Sequence, residues 1–469
     1  MRLILLVATA AVAVTACTPP RGDAHVEAVS AAALGLATAP AGVPIAADWW
    51  RGFGDPQLDR LIADAVAGNP TLDAALARVA QADAVLSTRR ADLAPEATLD
   101  AQGQVSRLSG RYTIPPPFAG STRFVGTGLA NLRWNLDLFG RQRSAIRGAR
   151  ASVAAAGLDL AAARLALAGS VASTYLDLAR AEAQAAIARR TIAARQGSLR
   201  LVDVRIRNRL ASNLDRQAAT TLLAQARQAL VRSEAGAVLA RNALAALAGR
   251  GVDYPATIRP TAIRVDGGVP LPATVPADLL SRRPDIAAAQ ARIVAAEQGR
   301  EVARGAWYPN VNLAALAGIQ AIGLGNLLSL DAGTVGAGPA LSLPLFDGGR
   351  RRADLAGATA ALDVAIADYN DRVIGAVREA ADGIAQVGAL AADRTRQREI
   401  VRGYAETGRL NNIRVASGLD SRLDLVDNDI RTLDAEQADA DLAADAAQAR
   451  VRLAVALGGG VAVQQEPAR

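Results

Sequence analysis

The chain has one Cys, one His and no Lys, and aromatic residues make up only 3% of its 469 positions. One Cys excludes a disulfide framework. One Cys with one His excludes a His/Cys metal cluster and most nucleophile–imidazole chemistry. No constellation of acid, base, nucleophile or metal ligands can be assembled, so neither an enzyme nor a cofactor is expected. The 52 basic residues, all Arg, outweigh 45 acidic ones to give +7, but the two signs are interspersed and no basic block stands alone. Nucleic acid is therefore not an expected partner. What is present is an apolar content of 51%, much of it Ala. Chains of small apolar residues build long packed helices rather than pockets.

Arg2 precedes an apolar run, Leu3 to Val14, ending in Thr15-Ala16-Cys17. A positive start, about 7–15 apolar residues and small residues at the end describe a secretory signal. The run falls short of the roughly 20 residues a permanent spanning helix needs. Val14-Thr15-Ala16-Cys17 is similar to the bacterial lipoprotein processing box, with Val where Leu is usual. Residues 1–16 are thus expected to be removed and Cys17 to carry lipid, since a free exported thiol would be a liability. Multiple acyl chains anchor a protein stably where one binds only marginally. Residues 17–47, rich in Ala, Pro and Gly, read as a linker, and His25 within them has no partner ligands nearby.

The remainder is written twice. Arg141–Gly249 lies over Arg350–Gly458 without a gap, so that Leu210-Ala-Ser212-Asn-Leu214-Asp215 matches Leu419-Asp-Ser421-Arg-Leu423-Asp424. Upstream the offset changes, pairing Pro70 with Pro284 and Ala94-Pro95 with Tyr308-Pro309. Duplication with variable connections has this form. It gives a first copy over 48–258, a linker over 259–275, a second copy over 276–458 and a flexible tail over 459–469. Each copy reads as a helix, two strands, a very long helix and a second long helix.

The strands, expected near 97–107, 123–138, 310–320 and 332–345, alternate. Leu99, Ala101, Gly103 and Val105 oppose Thr98, Asp100, Gln102 and Gln104. Gly126 to Leu138 repeats the pattern, with Leu129 breaking it. A period of two with an apolar and a polar face fits a membrane barrel, and equally a half-buried soluble sheet. The helices, expected over 141–208, 213–248, 349–416 and 422–457, carry more weight. Leu158, Ala162, Leu165, Gly169, Ala172, Leu176, Ala179, Ala183 and Ala186 form a heptad seam of small residues. Val373, Val377, Ala380, Ile384, Val387 and Ala391 repeat it. A helix of that span is roughly 100 Å long, a length suited to a conduit rather than a compact monomer. At the turns, Ser212-x-x-Asp215 and Ser421-x-x-Asp424 have capping-box spacing. Gly418 can take the positive φ that ends a helix, whereas Arg209 stands in the matching place.

Four motifs in order carry a family resemblance: Trp49-Trp50 with Phe53-Gly54-Asp55-Pro56, Trp134 to Arg141, Leu279-Leu-Ser-Arg-Arg-Pro-Asp-Ile286, and Pro339 to Gly349. They resemble the outer-membrane factor family, the TolC-like channels, and most closely its NodT-type efflux lipoproteins. The fold class implied is α+β, with long α-helical hairpins forming a periplasmic α-barrel and four strands per chain contributing to a trimeric transmembrane β-barrel. Closure has a motive of its own, because the edges of four strands would leave backbone N–H and C=O groups unpaired in lipid. Barrels start at about eight strands, so two copies or three satisfy this argument, and the resemblance implies three.

The resemblance further implies an outer-membrane location in a Gram-negative bacterium, with extension into the periplasm. A periplasmic adaptor protein and an inner-membrane pump would be its partners. Asp424 and Asp427, with Asp215 in the first copy, match the family's acidic gate positions. In a trimer they would form rings of like charge that favour cations. The tips Leu210 to Asp215 and Gly418 to Asp424, with Ser212 and Ser421, match the adaptor-contact region. The expected role is a passive exit duct of a tripartite, RND-type efflux system for small toxic compounds. A duct for type I protein secretion and a periplasmic structural lipoprotein are the alternatives.

Overall fold

A computed structural model describes residues 24–36, 45–111, 114–267, 271–272, 274–276 and 278–460. The expected signal, Cys17 and residues 461–469 lie outside these. Eight α-helices and four strands occur among the described residues. They are α1 (Pro56–Gly68), α2 (Pro70–Ala91), β1 (Glu96–Arg107), β2 (Thr122–Asn135), α3 (Arg141–Arg207), α4 (Asn213–Leu247), α5 (Leu279–Arg282), α6 (Pro284–Gly305), β3 (Asn310–Ile322), β4 (Gly333–Ser342), α7 (Arg350–Ala416) and α8 (Arg422–Ala456). The duplication reappears in the lengths: α2 and α6 each have 22 residues, α3 and α7 each 67, and α4 and α8 each 35. Pro70 and Pro284 open their helices at a position where a missing N–H costs nothing.

Two compact units cut across the copies. One draws on Met1–Ala28, Arg78–Ala156 and Ala289–Tyr369, and the other on Val29–Ala77, Gly157–Ala288 and Asn370–Arg469. Each copy supplies strands to the first unit and long-helix segments to the second.

In the first unit β1, β2, β3 and β4 form one antiparallel sheet in chain order. Register carries each face across all four strands. Leu99 pairs with Ala130, Ala130 with Ala317 and Ala317 with Val335. One residue away, Thr98 pairs with Asn131 and Asn131 with Leu316. The outer edges of β1 and β4 have no strand partner among the described residues. The second and fourth strands stop at Asn135 and Ser342, short of the expected 138 and 345. After β2, Asp137 takes φ 44° and its carboxylate accepts the N–H groups of Gln142 and Arg143 at 2.9 and 3.0 Å. After β4, Asp347 accepts from Gly349 and Arg351. Capping the next helix ends each strand early.

The second unit holds the largest fully buried side chains, among them Tyr175, Phe53, Leu58, Leu176, Leu244, Ile286 and Leu453. Within it α3 lies antiparallel to α4 and also to α8. Asp177 meets Gln448, Arg180 meets Asp445, Gln184 meets Asp441 and Arg190 meets Glu436. On the other side Arg189 meets Glu234 and Glu182 meets Arg241. Helix α8 in turn meets α7 through Asp439 to Arg394 and Asn428 to the Tyr404 carbonyl. The order is therefore α4, α3, α8, α7. Burial follows it. Helix α4 buries a single stripe, Ala219, Leu223, Ala226, Ser233, Ala237, Ala240 and Leu244. Helix α3, flanked twice, buries more than the expected seam: Val171, Tyr175, Leu178, Ala181, Ala185, Ile187 and Ala188 are all covered, while Ala186 is exposed.

Candidate functional site

The two helical tips are built alike from different residues. At the first, the Leu210 N–H reaches the Arg205 carbonyl at 2.8 Å and the Arg209 N–H reaches Ile206 at 2.9 Å. At the second, Leu419 reaches Arg414 at 2.9 Å and Gly418 reaches Val415 at 3.1 Å. Both are Schellman closures, which need a left-handed residue. Gly418 supplies it at φ 70°, and Arg209 is forced into it at φ 61°. The difference between Gly and Arg is thus one of strain, not of shape.

The caps differ through one substitution, Ala211 in place of Asp420. At the first tip the Asp215 carboxylate takes both the N–H and the hydroxyl of Ser212, at 2.7 and 2.9 Å. At the second, Asp420 takes the Ser421 N–H at 3.0 Å and the Arg414 guanidinium at 3.1 Å. This leaves Ser421 Oγ to accept the Asp424 N–H and donate to the Asp424 carboxylate at 2.6 Å. Hydrogen bonds from the Ser212 N–H and hydroxyl hold Asp215 below its ordinary 3.8. The Ser421 N–H, with Asp424 and Arg414, does the same for Asp420. Asp424 and Asp427 are exposed. Asp427 makes no side-chain hydrogen bond or ion pair among the described residues. Leu210, Leu214 and Leu419 are 67–78% exposed, so each tip presents apolar side chains around a capped carboxylate.

Two further carboxylates belong to the tips. Asp420 stands at i, i+4, i+7 spacing with Asp424 and Asp427, and it is the one tied to an Arg. Asp203, bonded to Arg216 at 2.9 Å, had no signal beyond a lone acid amid Arg residues.

The sheet is the second candidate. Phe124 stands near one end of its apolar face, opposite Val105. Trp134 stands near the other, opposite Leu313, with its indole N–H on the Leu93 carbonyl at 2.9 Å. Nearby, Phe139 stacks on Tyr308 at 5.2 Å and the Arg351 guanidinium lies 4.8 Å from the Trp307 ring centre. Ten residues of tilted strand between Phe124 and Trp134 rise roughly 25 Å, the height of a lipid-facing apolar band between aromatic girdles. Across that band Leu99, Val105 and Val335 are 72–84% exposed. The opposite face carries Glu96, Thr98, Asp100, Gln102, Arg133 and Asn131, with Asn131 donating to Asp100 at 2.7 Å.

The opening and mid-chain motifs hold the helices together. Tyr175 donates to Asp55 at 2.6 Å, Gln57 bonds both Tyr175 and the Arg259 backbone, and Ala262 N–H also meets Asp55. Burial first, then the Asp55 carboxylate, push Tyr175 above its ordinary 10.0, so it remains a donor. Arg283 joins Asp285, Glu379 and the Ala456 carbonyl at 2.8–3.0 Å. Burial alone would raise the Asp285 pKa, but the Arg283 guanidinium and neighbouring backbone N–H groups bring it below the ordinary value. These residues bind one element to another and surround no reaction centre.

Compared with known proteins, the sequence matches the family described as outer membrane efflux protein over residues 61–250 and 275–459. It is 35% identical to the fusaric acid resistance protein FusA of Burkholderia cepacia over 70% of this chain and 62% of that protein, less than two thirds of its length. It is 32% identical to the solvent efflux pump outer membrane protein SrpC of Pseudomonas putida over 88% of this chain and 87% of that one. Among solved structures, the outer membrane protein VceC from Vibrio cholerae is similar with a TM-score of 0.80 and 30% identity, covering 88% of this chain and 99% of that chain.

Proposed function

The chain belongs to the outer membrane efflux protein family, and from that premise we propose that it is the passive exit duct of a tripartite efflux system for small toxic compounds. The observation that carries this reading is the four-stranded sheet with one apolar face, aromatic ends and, among the described residues, two edges without a strand partner. Such edges are satisfied in lipid only by further copies. Eight strands enclose an interior just wide enough for their own side chains, so a duct with a bore calls for three copies and twelve strands. An inner-membrane pump supplies the energy, and a periplasmic adaptor docks on the exposed leucines and serines of the tips. Asp424 and Asp427, repeated in three copies, ring the entrance and favour cations. Asp215, committed to its cap, contributes less.

Lipid at Cys17 fits the same picture. The His25 and Val26 N–H groups both donate to Asp363, at 2.8 and 3.0 Å. Eight residues of chain before His25 reach at most about 29 Å. Asp363 lies about 20 Å along α7 from its start beside the strand ends, so an acylated Cys17 reaches the membrane that holds the sheet.

Deleting the gene and challenging the strain with a panel of toxic compounds is the test. Hypersusceptibility restored by the intact chain is expected. Unchanged susceptibility across the panel, together with no conductance by the purified protein in a planar bilayer, would overturn the reading.

A further inference from the structure

The connection between β3 and β4 is a strongly apolar exposed segment of the sheet unit. Leu324, Leu328 and Leu330 are 68%, 89% and 101% exposed, a density of bare leucine unusual for an aqueous loop. The segment does not simply run on from the strands. Gly323 N–H bonds the Phe124 carbonyl at 2.7 Å, and two short 3₁₀ turns, Leu324–Asn326 and Leu330–Ala332, fold the chain back. Leu327 then lies over Gly126: a Cβ on that glycine would come within 2.9 Å of Leu327 Cδ1 and of the Phe124 ring. Gly126 shares its face with Gly103, Ala321, Leu99 and Val335 through the strand register, which is the apolar face. The loop is therefore draped over the outside of the sheet, held by Leu327 and Phe124, with its other leucines pointing away from protein.

We infer that the β3–β4 connection is a lipid-binding flap, which lays Leu324, Leu328 and Leu330 into the hydrocarbon at the rim of the membrane. The inference rests on the placement of the apolar sheet face in the membrane and extends that face beyond its strands. Lipid is the occupant because the leucines continue a surface of the same chemistry. The polar side chains there are Asn326, Ser329 and Asp331, and two of them are turned to the chain itself: Asn326 donates to the Ile322 carbonyl at 3.0 Å and Ser329 to the Asn326 carbonyl at 2.8 Å. The β1–β2 connection contrasts with it: among its described residues Ser109, Gly110, Arg111 and Pro115-Pro116-Pro117 are exposed, while Ile114 and Phe118 are half-buried. The flap widens the apolar girth of the sheet at one end and resists displacement of the sheet along the membrane normal.

The test uses nitroxide labels on Leu328→Cys, Leu330→Cys, Val335→Cys and Ser212→Cys in the full chain. The chain is reconstituted in phosphatidylethanolamine–phosphatidylglycerol vesicles, and the parent is carried through labelling as the Cys17 background. Collision with oxygen is compared with collision with a water-soluble nickel complex. An oxygen-to-nickel ratio several-fold higher at 328, 330 and 335 than at 212 is the expected result. A high ratio at 335 with aqueous values at 328 and 330 would overturn the flap and leave the membrane face standing. An aqueous value at 335 would remove the membrane face itself and the flap with it. Labels at 328 reached by neither reagent, or coupled to each other, would show a second copy covering the loop and so also overturn it.

Discussion

Arg209 and Gly418 perform one task with opposite ease. A side chain in the left-handed region costs about 1–2 kcal/mol, and glycine removes that cost while loosening the unfolded chain. Arg209→Gly should therefore raise the amide protection of Leu210 by up to about 1 kcal/mol, and Gly418→Ala should lower that of Leu419 by a similar amount, read by hydrogen exchange. The caps give a pH dependence. Asp215 and Asp420 are held below the ordinary carboxylate value, so the unfolded tip binds more protons than the folded one as the solution is acidified. Their contribution is complete above the ordinary range and lost as pH falls below it, so tip protection should stay level from pH 7 to 5 and drop only below about pH 4. Charge and cap separate cleanly at the second tip. Asp427→Ala removes an exposed carboxylate with no capping duty, and single-channel currents should lose cation preference. Ser421→Ala removes the cap but keeps the charge, and should lower tip protection while leaving ion preference intact. The reverse pattern would assign the second tip's acids to capping alone.

At the scale of elements, the repeat in the sequence already contained the repeat in the structure. Equal offsets from Arg141 and Arg350 reappear as helices of equal length, and the alternation in the strands, broken at Leu129, reappears as two faces in register. Which helix stands beside which was not legible, because a seam of small residues reads the same whichever partner fills it. The register between α3 and α8 rests on Arg–carboxylate contacts separated by more than two hundred residues, beyond any local pattern. The strand ends were not legible for a similar reason: the caps after β2 and β4 are side-chain bonds to a helix not yet begun. Close approach of α3 to α8 can be tested at Gly169. A Cβ at Gly169 would lie 2.7 Å from Val455 Cγ2, whereas at Gly157 nothing is within 4 Å. Gly169→Ala should destabilise by about 1–3 kcal/mol through overpacking, and Gly157→Ala should stabilise by up to about 1 kcal/mol. Thermal loss of helical circular dichroism compares them, and equal shifts would mean that α3 and α8 do not pack as described.

At the scale of the whole molecule, a single chain leaves both kinds of element incomplete. Among the described residues, β1 and β4 each keep an edge without a strand partner, and helices α4 and α7 each bury one stripe. The sheet states its deficit as unpaired backbone, which lipid does not forgive. The sequence made the need for partners legible but left their number open, because any multiple that closes the ring satisfies hydrogen bonding. Function adds the missing constraint, since a ring of eight strands fills with its own side chains and twelve leave a passage. The mass of the detergent-extracted complex by light scattering, corrected for detergent, should therefore be three times that of the mature chain. It should not fall on dilution, because separation would expose two sheet edges per copy at once. A complex of two would preserve closure while removing the bore and with it the duct. A monomer stable in lipid would mean that the edges are covered within the chain, and the reason for assembly would disappear.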